Sequence, residues 1–392
     1  MTAHLYVGWI NDLNPDASLN FQINRWMSYG GPRWLADVRP VLPKLTSYKV
    51  WIDTFLVLGE KALADGFPLN AALHFRCAEF FMTSDDPRKE PTRKRLLPML
   101  RAEYGVPESA RRWVPFEGAR LPAWRFVAQR SKGTFVVFGG YDSYIEEFFP
   151  IFLKMRDDGW DVVAFEGPGQ GTPLEESNTV MTPDWDKPVA AVLDAFGLDD
   201  VTLIGISLGG CLVVRAAAKE PRVRRVVAWD VLADFYAALM NALPPVLRDL
   251  ANKAVSGDDQ GKFDLAMQQA AGNSPLFDWL LKQGLHVFGG NTPTDYFVRA
   301  RGFHTRDVSP AIRQDVLLMA GTHDHGIPLE QAFDQARSLS AARSTTIRIF
   351  TADEYAQMHC QLGNLPLAIN IIESWAEERT ASLAKKSVAT AS

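Results

Sequence analysis

Cysteine is scarce in this chain: three residues among 392, Cys77, Cys211 and Cys360, far apart and odd in number. That excludes a disulfide framework and a cysteine-based zinc spacing. Long apolar runs are missing too. None approaches the ~18–20 residues that a membrane helix needs, and Met1–Ile10 lacks the basic stretch followed by an apolar one that marks a secretory leader. There is no basic excess either: 41 Lys and Arg stand against 46 Asp and Glu, a formal net charge of −5. The electrostatic footprint of a nucleic-acid partner is therefore absent. No internal repeat is evident. These absences point to a cytoplasmic globular protein with neither membrane nor nucleic acid as partner. A 47% hydrophobic share is ample for a core, and the eleven Trp suit both a large core and a wide apolar pocket.

Residues 1–110 read as a helical domain. Leu19, Ile23, Trp26 and Met27 recur at helical spacing after Pro15-Asp16, and Gly30-Gly31 is expected to end that helix. A second helix is expected from Thr46-Ser47 to about Asp65, a third from about Asn70 to Phe81, and another from Arg93 to Tyr104. His74 and Cys77 share the third, but no further ligands join them, so they read as core residues.

At Arg111 the texture changes, and a catalytic domain is expected over 111–379. Arg112 to Phe116 and Leu121 to Gln129 read as strands about a Glu117-Gly118 turn. Thr134–Phe138, Trp160–Phe165, Val201–Ile204, Val223–Trp229, Val316–Ala320 and Thr345–Phe350 are short apolar runs alternating with helical stretches. That alternation predicts an α/β fold, a mostly parallel sheet covered on both faces. Between 235 and 305 the strands stop. Phe235–Val255, Phe263–Ala271 and Pro275–Gln283 read as helices, an insertion of the size of a cap over the sheet's carboxyl edge. A closing helix is expected over Ala368–Arg379 and a flexible tail over 380–392.

The chemistry gathers on Val201-Thr-Leu-Ile-Gly-Ile-Ser-Leu-Gly-Gly210. Strand, G-x-S-x-G and helix in succession make a nucleophile elbow, a tight turn that lifts Ser207 above the carboxyl edge of the sheet. A serine hydroxyl needs a base within hydrogen-bond reach. On such a sheet the acid and the base follow the nucleophile in that order, on the loops after the last two strands. Asp324 stands four residues after Ala320, and His359 nine after Phe350. Asp324 is expected to orient the imidazole, and His359 to take the Ser207 proton and return it to the leaving group. Asp353 and Glu354 are rival acids, placed less well because they share the histidine's own loop. The oxyanion hole is expected from the backbone N–H of Leu208 and that of Tyr141, which the Gly139-Gly140 turn points inward.

Two other motifs invite different chemistry. His323-Asp324-His325 lacks a third and fourth converging ligand, so no metal is expected. Gly167-Pro-Gly-Gln-Gly171 follows a strand but lacks the dinucleotide spacing, and no cofactor is expected.

Taken together, Gly139-Gly-Tyr-Asp-Ser-Tyr-Ile-Glu-Glu147, Phe165-Glu-Gly-Pro-Gly-Gln-Gly171, Gly205-Ile-Ser-Leu-Gly-Gly210 and His359-Cys360 resemble α/β-hydrolases of the dihydroxypseudooxynicotine hydrolase type. They are similar also to the fungal hydrolases that shorten or process polyketides and, more distantly, to the fermentation–respiration switch esterases. The resemblance spans about Gly139 to His359, and the helical N-terminal region fits the same layout. It implies an α/β-hydrolase fold, with Ser207, Asp324 and His359 matching the family triad. It further implies hydrolysis of a carbon–carbon bond beside a carbonyl, or of an ester or lactone, in an aromatic or polyketide-like small molecule. A site between core and helical domain, and a homodimer, follow from the same likeness. Some members use an extra acid near the pocket, for which Asp234 is the candidate here. A hydrolase-fold binding protein without catalysis is the remaining reading, and the intact Ser–Asp–His order speaks against it.

Overall fold

The computed structural model describes residues 4–391; Met1–Ala3 and Ser392 lie outside the described residues. Four helices come first: α1 (Ala17–Val38), α2 (Tyr48–Ala64), α3 (Pro68–Phe80) and α4 (Lys89–Glu103). Asp16 caps α1 through the Leu19 amide and Ser47 caps α2 through that of Val50, each satisfying a donor the helix leaves orphaned. As expected, the first helical run within α1 ends at Gly30-Gly31. Gly31 takes φ 63°, a left-handed value open to glycine, and Pro32 then restarts the helix in a new direction.

Next come β1 (Arg111–Phe116), β2 (Ala119–Phe126), β3 (Thr134–Phe138), α5 (Phe149–Asp157), β4 (Asp161–Phe165), α6 (Gly171–Ser177), α7 (Asp186–Phe196), β5 (Val201–Ile206), α8 (Gly209–Ala217) and β6 (Val223–Trp229). The eight strands form one sheet in the order 1-2-4-3-5-6-7-8, the last two being β7 (Asp315–Gly321) and β8 (Ser344–Phe350). β1 and β2 run antiparallel as a hairpin on the edge, and β3 to β8 are parallel. The chain switches direction between β3 and β5, and there the carboxyl edge opens a crevice.

Between β6 and β7 lie α9 (Phe235–Ala242), α10 (Pro245–Val255), α11 (Gln260–Asn273), α12 (Pro275–Phe288) and α13 (Pro293–Ala300). The single helix expected over Phe235–Val255 is broken at Pro244-Pro245, since proline cannot donate within a helix but opens one well. α14 (Glu330–Ser338) and α15 (Leu365–Ala391) complete the chain. α15 runs on through the stretch expected to be a tail, where Ala381, Leu383, Ala384, Lys385 and Lys386 favour helix and neither Gly nor Pro stops it.

Alternation along the strands separates two cores. Phe135, Val137, Ile204, Val227 and Leu317 face a cluster containing Trp26, Trp34, Trp51 and Phe55 of the N-terminal helices, with Trp375 of α15. Val136, Phe138, Leu203, Val226 and Leu318 face the other, with α7, α8 and residues of the α9–α13 cap. The N-terminal helices thus share a core with one face of the sheet. Trp26, Trp34 and Trp51 are fully buried there, and burying a large apolar side chain stabilises by roughly 1.5–3 kcal/mol.

Candidate active site

β5 ends at Ile206, and the chain turns sharply before α8. Ser207 sits on that turn with φ 63°, a strained value for a side-chain-bearing residue that costs about 1–3 kcal/mol. A Cβ at Gly205 would collide with the Gly209 carbonyl oxygen, which is why the turn tolerates no side chain there. Ser207 N–H donates to the Trp229 carbonyl at 2.9 Å, tying the elbow to the neighbouring strand β6.

His359 follows β8 and brings its Nε2 to 2.8 Å from Ser207 Oγ. Its Nδ1 lies 2.7 Å from Asp324 Oδ2, on the loop after β7. The loop is closed by Asp324 itself, whose Oδ1 accepts from the amides of Gly326 (2.7 Å) and Ile327 (2.9 Å). The three residues named from the sequence are therefore in one hydrogen-bonded line, although 152 positions separate Ser207 from His359.

A fourth residue joins them. Asp230, directly after β6, places Oδ2 at 2.9 Å from the same Nδ1 and is 1% exposed. Its carboxylate also accepts from the Cys360 amide and, at 3.0 Å, from Gln361 Nε2. An aspartate at the carboxyl end of a strand was visible in the sequence, but nothing there distinguished it from an ordinary strand terminus. Asp234 is elsewhere. It caps α9 through the Ala237 amide at 2.9 Å and pairs with Arg306 at 3.3 Å, so the auxiliary acid expected at 234 is not at the histidine. Its two carboxylate oxygens are spent on that cap and that pair, whereas Asp230, four residues earlier and directly after β6, reaches the imidazole. Of the rival acids, Glu354 pairs with Arg348 and stays on its own turn.

Burial and mutual charge set the protonation states. Burial alone would hold His359 neutral, but the charge of Asp324, with that of Asp230 behind it, lifts its pKa well above the usual 6.5. Burial raises the Asp324 carboxyl, and the charge and hydrogen bond of His359 overcome it, leaving it far below the ordinary range. The Asp230 carboxyl goes the other way, raised by burial and then by the nearby Asp324 charge. Two carboxylates on one imidazole nitrogen push each other's pKa values apart, and Asp324 is the more acidic of the two. His325, tilted against Phe21 with ring centroids 4.4 Å apart, is lowered to about 4 by burial and by the His359 charge, so it stays neutral.

Asp230, His359 and Cys360 place one potential metal-ligand atom each within 4.8 Å of one another. Asp230 already accepts the Cys360 amide, and His359 uses both ring nitrogens on Ser207 and the carboxylates. The donor set fits proton transfer better than metal binding.

The loop after β3 faces the elbow. A Cβ on Gly140 would lie 2.8 Å from Ser207 Cβ and 2.9 Å from Leu208 N, so only glycine lets this loop pass so near the nucleophile. Among the described residues, neither the Tyr141 nor the Leu208 amide has a hydrogen-bond partner. Gln170 fixes the loop from behind, its Nε2 donating to the carbonyls of Gly139 (2.6 Å) and Gly140 (3.1 Å). The Gly167–Gly171 segment thus serves to brace this loop.

Above Ser207 lies a cavity of about 480 Å³, within the range of small-molecule sites. Phe21 and Tyr29 of α1 form one wall, Phe235 and Leu239 of α9 the other, and Ser207 and His359 the floor.

A family model described as the alpha/beta hydrolase fold matches residues 134–359. Among curated proteins the chain is similar to Hydrolase acrC of Aspergillus aculeatus, 28% identical over 289 residues that take in 65% of this chain and 66% of that protein. It is similar also to 20-hydroxy-prefusarin hydrolase FUS2 of Gibberella moniliformis, 28% identical over 289 residues, 63% of this chain and 66% of the relative. The chain therefore spans just under two thirds of the length of these relatives. Among solved structures, the 2,6-dihydroxy-pseudo-oxynicotine hydrolase superposes with a TM-score of 0.63 at 19% identity, covering 92% of this chain and 95% of that one. At that identity the likeness is one of fold.

Proposed function

The chain belongs to the alpha/beta hydrolase fold family, and we propose that it is a serine hydrolase cleaving a carbon–carbon bond beside a carbonyl in an aromatic or polyketide-like ketone. The observation that carries the hydrolase reading is the line Ser207 Oγ–His359 Nε2–Nδ1–Asp324 Oδ2, at 2.8 and 2.7 Å, beneath a largely apolar cavity. Ser207 attacks the carbonyl carbon while His359 takes its proton. The Tyr141 and Leu208 amides hold the oxygen as it gains charge. When the tetrahedral adduct collapses, the carbon–carbon bond breaks and its electron pair leaves with the departing fragment. The proton on His359 then goes to that carbon. Water, deprotonated by His359, hydrolyses the acyl-Ser207 to the acid and frees the serine. No cofactor is needed for these steps.

Support for carbon as the leaving atom comes from the motif resemblance around Gly139–Glu147 and Phe165–Gly171, and from a second carboxyl on His359 that would steady its charged form until the carbon is protonated. Asp324 is the acid of the triad and Asp230 the auxiliary one. A homodimer in the cytoplasm completes the reading; the three thiols are unpaired, as a reducing compartment requires.

Product analysis on paired aryl β-diketones and aryl esters, with Ser207→Ala as the control, tests it. Acid and ketone products from the diketone, lost in Ser207→Ala, are expected. Turnover of the ester alone assigns an ester or lactone hydrolase instead, and turnover of neither leaves a binding protein.

A further inference from the structure

Two polar side chains of α1, one turn apart, face the same cavity as Ser207: Gln22 and Arg25. Gln22 is 6% exposed, and among the described residues its Oε1 has no hydrogen-bond partner. A buried amide oxygen left unpaired costs on the order of 1–3 kcal/mol, which a bound ligand would relieve. Arg25 is 8% exposed and lies over the rings of Trp26 and Phe80, at 4.9 and 5.1 Å. Its Nη2 donates to Glu147 at 2.7 Å, while its Nη1 has only a 3.8 Å approach to Asp142.

The carboxylate nearest Arg25 is not its own. Glu147 is shared, since its other oxygen accepts from Arg76 Nε at 2.5 Å. Glu79 is taken up by Arg76 Nη1 and Lys89 Nζ, both at 2.6 Å, with Tyr144 OH at 2.7 Å. Three cations, Arg25, Arg76 and Lys89, thus meet two fully buried carboxylates, Glu79 and Glu147. Glu175 and Asp142 approach only to 3.7 and 3.8 Å and are partly exposed. Arg25 Nη1 is the least engaged donor of this cluster, its one approach being the 3.8 Å to Asp142, the neighbour of Tyr141 in the loop that faces the nucleophile. In a desolvated, apolar pocket a half-neutralised guanidinium favours an anionic oxygen strongly.

We propose that Arg25 forms a second oxygen-binding subsite, which holds the far carbonyl of the substrate and receives its negative charge as an enolate when the carbon–carbon bond breaks, with Gln22 beside it to accept an O–H where the far oxygen is an enol. This rests on the carbon–carbon reading above and supplies what that reaction needs, an electron sink on the departing fragment. The bonding electrons become the enolate carbon–carbon double bond. The far oxygen carries the charge against Arg25 until His359 protonates the carbon, giving a neutral ketone. Gln22 completes the subsite as a neutral partner to the enol form, its Oε1 accepting an O–H.

The test uses full-length Arg25→Met, Arg25→Lys and Gln22→Leu, each checked for folding by thermal unfolding. For the aryl β-diketone, kcat is expected to fall about 10²–10³-fold in Arg25→Met, the range for losing one charge-stabilising donor, and to recover in part in Arg25→Lys. The aryl ester, whose leaving group has no far oxygen, should lose less than about tenfold. Equal losses on both substrates overturn the proposal. Competitive inhibition of ester turnover by 4-phenylbutyrate and by its neutral amide reads the subsite without any carbon–carbon cleavage. Wild type should prefer the acid by about tenfold, or about 1.4 kcal/mol; Arg25→Met should lose that preference, whereas Gln22→Leu should keep or raise it, since the unpaired Oε1 favours the amide's N–H over a carboxylate. Absence of any acid preference in wild type overturns the subsite even where the diketone is cleaved. A preserved preference without diketone turnover overturns the carbon–carbon reading and leaves an anion subsite in an esterase. If Arg25→Met does not fold, Arg25→Gln and Arg25→Lys carry the same comparison, with the acid preference lost in the first and kept in part in the second.

Discussion

His359 meets two carboxylates through one nitrogen, and its protonation governs the chemistry. A general base must be neutral to accept the Ser207 proton, so kcat/KM rises with pH as the imidazolium of the free enzyme loses its proton. Because Asp324 and Asp230 lift that pKa well above 6.5, against the pull of burial, the acidic limb of the profile should lie above pH 6.5. Asp230→Asn removes one raising influence, and the limb should move to lower pH; a limb that stays or moves up would exclude Asp230 from the base's surroundings. Asp324→Asn should cost about 10²–10⁴ in kcat, since the wrong tautomer and a weaker counter-charge both follow. The double variant should lose less than the product of the two single losses, because both carboxylates act through one imidazole. Steady-state kinetics on the four proteins measures that coupling.

The loop after β3 is held from two sides, by Gln170 and by the buried ionic cluster of the N-terminal helices. Arg76, on α3, donates from Nη2 to the Asp142 carbonyl at 2.6 Å while binding Glu79 and Glu147. Arg76→Met leaves both carboxylates buried without that partner and should destabilise the protein by about 3–5 kcal/mol in urea unfolding; a change under about 1 kcal/mol would show the cluster to be indifferent. Gly140→Ala should lower kcat about 10²–10³-fold with little change in KM, because the added methyl drives the loop away from Leu208 and opens the oxyanion position. Unaltered kcat would exclude that loop from the transition state. At this scale the sequence was legible where local pattern and tertiary demand agree. β3, β4 and β7 were readable as largely apolar runs because parallel strands are buried on both faces. The elbow was readable because its glycines serve a local steric need. Asp230, Gln22 and Arg25 were not, because their meaning lies in what faces them across the fold, and an aspartate after a strand or an arginine in a helix has no local mark. α13 escaped as well, an eight-residue helix whose capping box of Thr292 and Asp295 is short against the noise of a Gly-rich link.

Across the whole molecule, the site stands at the junction of three parts: the sheet edge, the α9–α13 cap and helix α1. The N-terminal helices and one face of the sheet share a core that includes Trp26, Trp34, Phe135 and Trp229. Deleting residues 1–110 should therefore yield insoluble protein rather than a smaller enzyme, and recovery of a soluble, active 111–392 fragment would contradict that coupling. A dimer should scatter light at twice the 43.6 kDa of the chain; a mass of one chain at working concentration would rule it out. All of this turns on Ser207 being a nucleophile activated by His359. Incubation of the folded protein with a serine-directed fluorophosphonate, read by intact mass and peptide mapping, tests that most directly. One adduct on Ser207 is the result expected, absent in Ser207→Ala and strongly slowed in His359→Ala. No adduct on well-folded wild type, or an adduct at another residue with Ser207 unmodified, would contradict it.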